Sequence, residues 1–199
     1  MDLTEKRVNS NYIFHGKIMT VRVDDALLPN GEPCIREVCE HPGGVGVLPI
    51  DENRMVTLVR QYRYPIDGYL YEFPAGLVEP GEDYHDAAVR EMKEETGLDL
   101  QPIPVDNFYA KPYYTTIGMT DECCATVYGV SDGMVSLDGL EDTEDLEVVI
   151  ADRDEVRRIL KEERVAIVCS YMLMHFLHDK EPFEFLHEEA EAKSRWRKK

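Results

Sequence analysis

Four glutamates and an arginine between residues 82 and 95 hold the densest chemistry in this sequence. Glu91, Glu94 and Glu95 are spaced i, i+3 and i+4, so on a 3.6-residue helix they fall within about 100° of one another. Left in water, such carboxylates repel by roughly a few tenths of a kcal/mol per pair. A divalent cation makes the same arrangement attractive, and Mg2+ takes oxygen ligands octahedrally while keeping places for water and substrate phosphate. Arg90 lies beside the cluster and can orient a carboxylate through a bidentate contact. Glu82 and Asp83 follow the turn Pro80-Gly81 and answer the positive end of a helix dipole. Two readings stand side by side on these residues alone: a metal-holding stripe, or a solvated acidic face in a chain with 40 acidic residues. Both expect the stripe to face solvent, with Val89, Met92 and Thr96 packing inward and Ala88 at the edge.

The wider pattern separates them. Gly76 to Leu98 reads Gly-x5-Glu-x7-Arg-Glu-apolar-x-Glu-Glu-x-Gly-apolar over 23 residues, with every fixed position filled. This run resembles the Nudix box of hydrolases that cleave nucleoside diphosphates linked to another moiety. The resemblance implies that Glu91 and Glu95, with Glu94, bind Mg2+, that Glu82 supports the site, and that Arg90 orients a neighbouring glutamate. It also implies an α/β/α sandwich with a mixed sheet. The flanking segments Arg60-Gln-Tyr-Arg-Tyr-Pro65, Glu72-Phe-Pro-Ala-Gly76 and Pro112 are similar to ADP-ribose pyrophosphatases within that family. That subfamily implies further roles: the backbone carbonyl of Ala75 as a metal ligand, Arg63 against the diphosphate, and Tyr12 and Phe14 stacking on adenine. Arg36 adds positive charge. Two or three Mg2+ ions are expected, with Mn2+ as the alternative.

The same resemblance implies a general base on a loop before a late strand. Leu140 to Leu146 occupies that place, and Glu144 fits best by its spacing to the strand, followed by Asp142 and Glu141. Downstream of Pro112 the segment Tyr113 to Glu122 is longer than the subfamily's short form. Glu122 is the candidate for the terminal ribose, while Tyr113 and Tyr114 could instead fill a hydrophobic gap. The expected activity is hydrolysis of the diphosphate of ADP-ribose, or a similar nucleoside diphosphate sugar, to AMP and a sugar phosphate. The alternatives are a Nudix hydrolase of a dinucleotide or oxidised nucleotide, and a non-catalytic ADP-ribose-binding sensor. The intact set Glu82, Glu91, Glu94 and Glu95, without a basic helix-turn-helix, weighs against the sensor.

These residues need elements to hold them. Asn11–Phe14, Ile18–Leu28 and Cys34–Cys39 read as strands, the last two joined through Pro29-Asn30-Gly31, a hairpin signal. His41-Pro42-Gly43-Gly44 breaks the pattern, which gives an N-terminal antiparallel β segment over 1–42 and a second domain over 43–199. Val45–Ile50 and Met55–Tyr62 read as buried strands, Tyr69–Phe73 as another. From Tyr84 to Thr96 the period becomes helical and Gly97 closes it. Phe108–Ala110, Cys124–Val130 and Leu146–Ile150 read as extended, Asp154–Glu163 and Ala166–Leu177 as helices. The sum is an α/β class with helices layered on a mixed sheet.

The chain has 199 residues, enough for a full core without disulfides or a structural metal. Its formal charge of −18 repels polyanions, so nucleic acid is not an expected partner. The longest apolar stretch, Val165 to Leu177, is too short for a membrane span and reads as a buried helix. The opening Met1-Asp-Leu-Thr-Glu5 has no signal-peptide pattern. Five cysteines without a Cys-x-x-Cys suit a reducing cytoplasm. Residues 1–42 are too few for their own core, and the resemblance implies a homodimer in which they reach the partner's adenine pocket. The basic run Ser194–Lys199 reads as a frayed terminus.

Overall fold

A computed structural model describes residues 1–105, 109 and 111–186. The expected basic terminus and most of the expected extended run at 108–110 lie outside these residues. The chain divides into two compact units, one formed by Met1–Gly44 with Pro112–Cys124, the other by Val45–Lys111 with Ala125–Lys199.

In the first unit β1 (Lys6–His15), β2 (Thr20–Leu27) and β3 (Pro33–Glu40) form an antiparallel sheet in that order. The β2–β3 turn closes with Leu28 N–H on the Glu32 carbonyl and Gly31 N–H on the Leu28 carbonyl, both 2.8 Å. Gly31 sits at φ +87°, a conformation that favours glycine and explains the Asn-Gly step. β1 is longer than the sequence suggests, and β2 starts later, because Gly16 to Met19 makes a turn closed by the Gly16 N–H on the Met19 carbonyl. Within the three strands only Asp24 and Ala26 are buried. In the second stretch of this unit β9 (Tyr113–Tyr114) pairs with Cys123 and Cys124 at the start of β10 (Cys123–Asp132). Tyr113 and Tyr114 are exposed, so they fill no internal gap.

The second unit is built on a mixed sheet. Its path runs β11 (Leu146–Ala151), β5 (Val56–Arg63), β4 (Gly44–Ile50), β10, β8 (Asp99–Pro102). β6 (Gly68–Glu72) pairs with β5, and β7 (Ala75–Leu77) with β4. Alternation along β4 assigns its faces. Val45 and Val47 pack with Ala87, Ala88 and Met92 of α1 (Tyr84–Thr96). Leu48 and Ile50 pack with Val156 and Ile159 of α2 (Arg153–Glu162) and Leu173 and Phe176 of α3 (Ile167–His178). Helices therefore cover both faces, the expected α/β/α layering. α3 corrects one expectation: it is mostly apolar, yet only Cys169, Leu173 and Phe176 are buried, and Ile167, Val168, Tyr171 and Met174 are exposed. No helix among the described residues is long and apolar enough to cross a membrane.

Candidate active site

α1 begins where the sequence says it should. Asp83 is its N-cap and accepts from His85 N–H at 2.8 Å, which satisfies one of the free amides of the first turn. Gly97 ends it at φ +74°, and Lys93 lies in the last turn. α1 buries Met92, Thr96 and Ala88 as expected, but its buried face is wider than expected and takes in two of the glutamates. Ala87, Glu91, Glu95, Ala88, Met92 and Thr96 are buried, which at 100° per residue spans about half the circumference, with Glu95 and Ala88 in its middle and Glu91 toward one side. Val89, expected inside, is 37% exposed, whereas Glu95 is 3% and Glu91 8% exposed. Ala87 and Ala88 flank the two glutamates and pack with Val45 and Val47 of β4, and the helix lies close against β7 at Gly76. Glu95 reaches the backbone there and accepts the Ala75 N–H at 2.9 Å.

Gly76 is part of this close approach. A Cβ there would lie 2.0 Å from the Glu91 carboxyl carbon, so only glycine leaves that carboxylate its place. Arg90 organises the rest. It grips Glu82 bidentately, with Nε and Nη2 each 2.9 Å from a carboxylate oxygen. Its Nη1 donates to Glu91 at 2.7 Å and to Glu94 at 2.9 Å, and Nη2 to the Leu77 carbonyl at 3.0 Å. Arg90 is thus bonded to three glutamates rather than one neighbour.

The electrostatics follow from this placement. Arg90 and the Glu79 N–H hold the Glu82 carboxyl down at about 2. Burial pushes the Glu95 carboxyl up to about 8, against the Ala75 N–H bond, and the charges of Glu91 and Glu144 add to the rise. Burial also raises Glu91, opposed by Arg90. Glu144 is within electrostatic range of both buried glutamates, and Arg63 within range of Glu95.

The loop carrying Glu144 owes its place to α1. Ser136 N–H donates to the Thr96 carbonyl at 3.0 Å. A Cβ on Gly139 would lie 3.0 Å from the Glu94 backbone, so the loop rests against the helix. The Glu144 side chain folds back on its own loop and accepts from Glu141 N–H at 3.2 Å. Asp142 is exposed in the same loop.

The structure therefore gathers Ala75, Glu82, Arg90, Glu91, Glu94, Glu95, Arg63 and Glu144 in the second unit. Tyr12, Phe14, Arg36 and Glu122 belong to the first. Tyr12 and Phe14 are about half exposed on β1, Tyr12 stacked on His15 with centroids 5.4 Å apart. Arg36 is paired with Glu5, Nη2 to Oε1 2.6 Å and Nε to Oε2 2.8 Å. Glu122 accepts from the Thr115 hydroxyl and lies 3.6 Å from His41 Nδ1. One residue lay in a segment the sequence singled out but was given no role there: Glu72, whose Oε2 takes the Arg63 Nε–H at 2.7 Å. Only the β5–β6 pairing brings these two together.

The chemistry of these carboxylates fits a divalent cation that takes oxygen ligands. Their donors are all oxygen, two are buried at a cost that a cation would remove, and Gly76 keeps space against Glu91. Among the described residues no three His, Cys, Asp or Glu side chains stand together so that they could hold a metal ion as they are. The Arg90 guanidinium stands between Glu82, Glu91 and Glu94 instead.

Comparison with known proteins agrees with this geometry. Residues 40–171 match the NUDIX domain family, and residues 5–39 match the nucleoside diphosphate sugar hydrolase N-terminal domain. The methanol dehydrogenase activator of Bacillus methanolicus is 33% identical over 164 residues, covering 81% of this chain and 85% of its own. The ADP-ribose pyrophosphatase of Bacillus subtilis (strain 168) is 37% identical over 120 residues, 60% of this chain and 63% of that one. A crystal structure of an ADP compounds hydrolase shares the fold with a TM-score of 0.73 at 20% identity, across 95% of this chain and 98% of that one. With its box on a capped helix and the family matched over most of its length, this chain belongs to the Nudix hydrolases.

Proposed function

We propose that this Nudix hydrolase cleaves the diphosphate of ADP-ribose, or of a closely similar nucleoside diphosphate sugar, to AMP and a sugar phosphate. The observation that carries this reading is the buried carboxylate pair Glu91 and Glu95, with Glu144 and Arg63 in electrostatic range. The Bacillus subtilis relative, named for ADP-ribose, supports the choice of substrate.

In this reading Glu91, Glu94, Glu95 and the Ala75 carbonyl hold Mg2+, in two or three ions, with Mn2+ as the alternative. The cation supplies charge neutralisation at the phosphoryl oxygens and a more acidic water. Glu82 anchors Arg90, and Arg90 sets the directions of Glu91 and Glu94. Arg63 presents its guanidinium to the diphosphate, a role that matters in a chain of charge −18. Glu144 takes the proton of the attacking water as the P–O bond of the anhydride breaks, with Asp142 and Glu141 next in order. Tyr12 and Phe14 stack on adenine, Arg36 adds positive charge, and Glu122 contacts the terminal ribose.

A homodimer belongs to the same reading. β1 exposes Val8, Tyr12, Ile13 and Phe14, β3 exposes Ile35, and Ile18 and Met19 are exposed beside them. That much open apolar surface on one sheet calls for a cover. A second copy supplies it, and the crossing segment brings Tyr12, Phe14 or Arg36 to the partner's pocket. Light scattering is expected to give about twice the chain mass of 22.9 kDa, and a fully active monomer refutes the dimer. Five free cysteines favour the cytoplasm.

The test is a panel of nucleoside diphosphates incubated with purified protein, with Mg2+ and with a chelator. ADP-ribose is expected to be turned over best, to AMP and ribose 5-phosphate, only with the metal. Preference for a dinucleotide or an oxidised nucleotide overturns the substrate. Tight ADP-ribose binding without turnover makes the protein a sensor.

A further inference from the structure

Side chains on a strand alternate between its faces, so Val59, Gln61 and Arg63 of β5 share one. Glu72 of β6 stands opposite Val59 in the register and joins that face. It is the face away from Leu58, which packs with α2 and α3. β6 ends at Glu72, three residues before Ala75, whose N–H is bonded to the buried Glu95 of α1. The Arg63 Nε–H is spent on Glu72 Oε2 at 2.7 Å, with the Glu72 side chain 20% and the Arg63 side chain 45% exposed.

A bond at Nε leaves the forked Nη edge of the guanidinium, the part that matches a pair of phosphate oxygens. By charge alone a carboxylate at this position opposes an anionic substrate. Its gain is geometric: a long, half-exposed arginine is held in one orientation before substrate arrives, so less freedom is lost on binding.

We infer that Glu72 is a positioning residue for substrate binding, fixing the Arg63 guanidinium with its Nη edge free for the diphosphate. This rests on the reading of Arg63 as a diphosphate contact. Full-length protein is assayed on ADP-ribose with Mg2+ as wild type, Glu72→Ala, Glu72→Gln, Arg63→Ala and the double Ala variant, each checked by thermal melting. Glu72→Ala is expected to raise KM about 10-fold with kcat within about twofold. Glu72→Gln, whose amide oxygen still accepts the Nε–H, is expected to bring KM back within about threefold of wild type. In the Arg63→Ala background, Glu72→Ala is expected to change nothing more, as two parts of one device do.

A merely structural role would lower the melting temperature and kcat and would show no such split. A Glu72→Ala variant with unchanged or lowered KM shows that Glu72 only neutralises Arg63, and overturns the inference. So does an undiminished Glu72→Ala effect in the Arg63→Ala background. An Arg63→Ala variant with normal KM removes the diphosphate role of Arg63 and this inference with it. If the wild type prefers another nucleoside diphosphate, only the substrate changes, and the same KM series on that compound decides the role of Glu72.

Discussion

Withdrawing the metal should make this protein's stability fall with pH, and Glu95 is the reason. The residue is 3% exposed, and burial pushes its carboxyl up to about 8 in the fold, against an ordinary value of 4.5. Below about pH 4.5 it is protonated whether the chain is folded or open, and the stabilising proton uptake is fully present. Between these values the folded chain keeps a proton that the open chain has released, so stability drops as pH rises, and the loss is complete above about 8. At 1.36 kcal/mol per pH unit of difference, the ionised form costs up to about 5 kcal/mol. For a chain of this size that is a fall in Tm of about 5–15 °C between pH 5.5 and 8.5 in a chelator. Mg2+ favours the ionised carboxylate, so it should flatten the slope and release about one proton per site at pH 7. Calorimetry in two buffers of different ionisation enthalpy measures that proton. Glu95→Gln still accepts the Ala75 N–H but carries no charge. In chelator it should match the wild type at pH 5.5 and exceed it at pH 8.5, while losing turnover by about 10³ or more with Mg2+. A wild type whose Tm in chelator does not fall with pH, or a Gln variant that falls alongside it, refutes the account.

The other predictions test single contacts. Glu144→Gln should lower kcat by about 10²–10⁴ with KM and Mg2+ dependence near normal, and remove the acid limb of the pH–rate profile. A retained limb there, and in Asp142→Asn and Glu141→Gln, would show that no acid of this loop is the base. Gly76→Ala should cost about 10²-fold in kcat/KM with Tm nearly unchanged, because the new methyl displaces only the end of the Glu91 side chain. Gly97→Ala should instead cost stability, about 2 kcal/mol or more, read by denaturant titration. It combines φ +74° with a Cβ 2.5 Å from the Ser136 backbone nitrogen, and neither can move cheaply.

Much of the site is legible because its signals are local. The turn Pro80-Gly81, the acidic cap Asp83, the helical period from Tyr84 and the closing Gly97 are all within a few residues of the glutamates they position. The alternating apolar runs of β4 and β5 announce buried strands for the same reason. What the spacing misreads is how far round α1 the buried face extends. Three acids on one stripe read as the wet side of a helix, since burying a carboxylate costs more than burying the neighbouring Val89 gains. The fold accepts that cost where Gly76 lets β7 lie close to Glu91 and the Ala75 N–H bonds Glu95.

The sequence by itself therefore determined the family, the box helix with its caps and the layered α/β class, because each rests on residues that meet through short stretches of chain. Only the tertiary structure decided that Glu91 and Glu95 are buried, that Arg90 is bonded to Glu82, Glu91 and Glu94, and that Glu72 holds Arg63. It also brought the loop of Glu144 against the end of α1 and grouped residues 112–124 with the N-terminal strands. These are meetings between distant segments. They are fixed by which faces pack and which small residues permit close approach, and those choices are made by the whole core rather than by any local pattern.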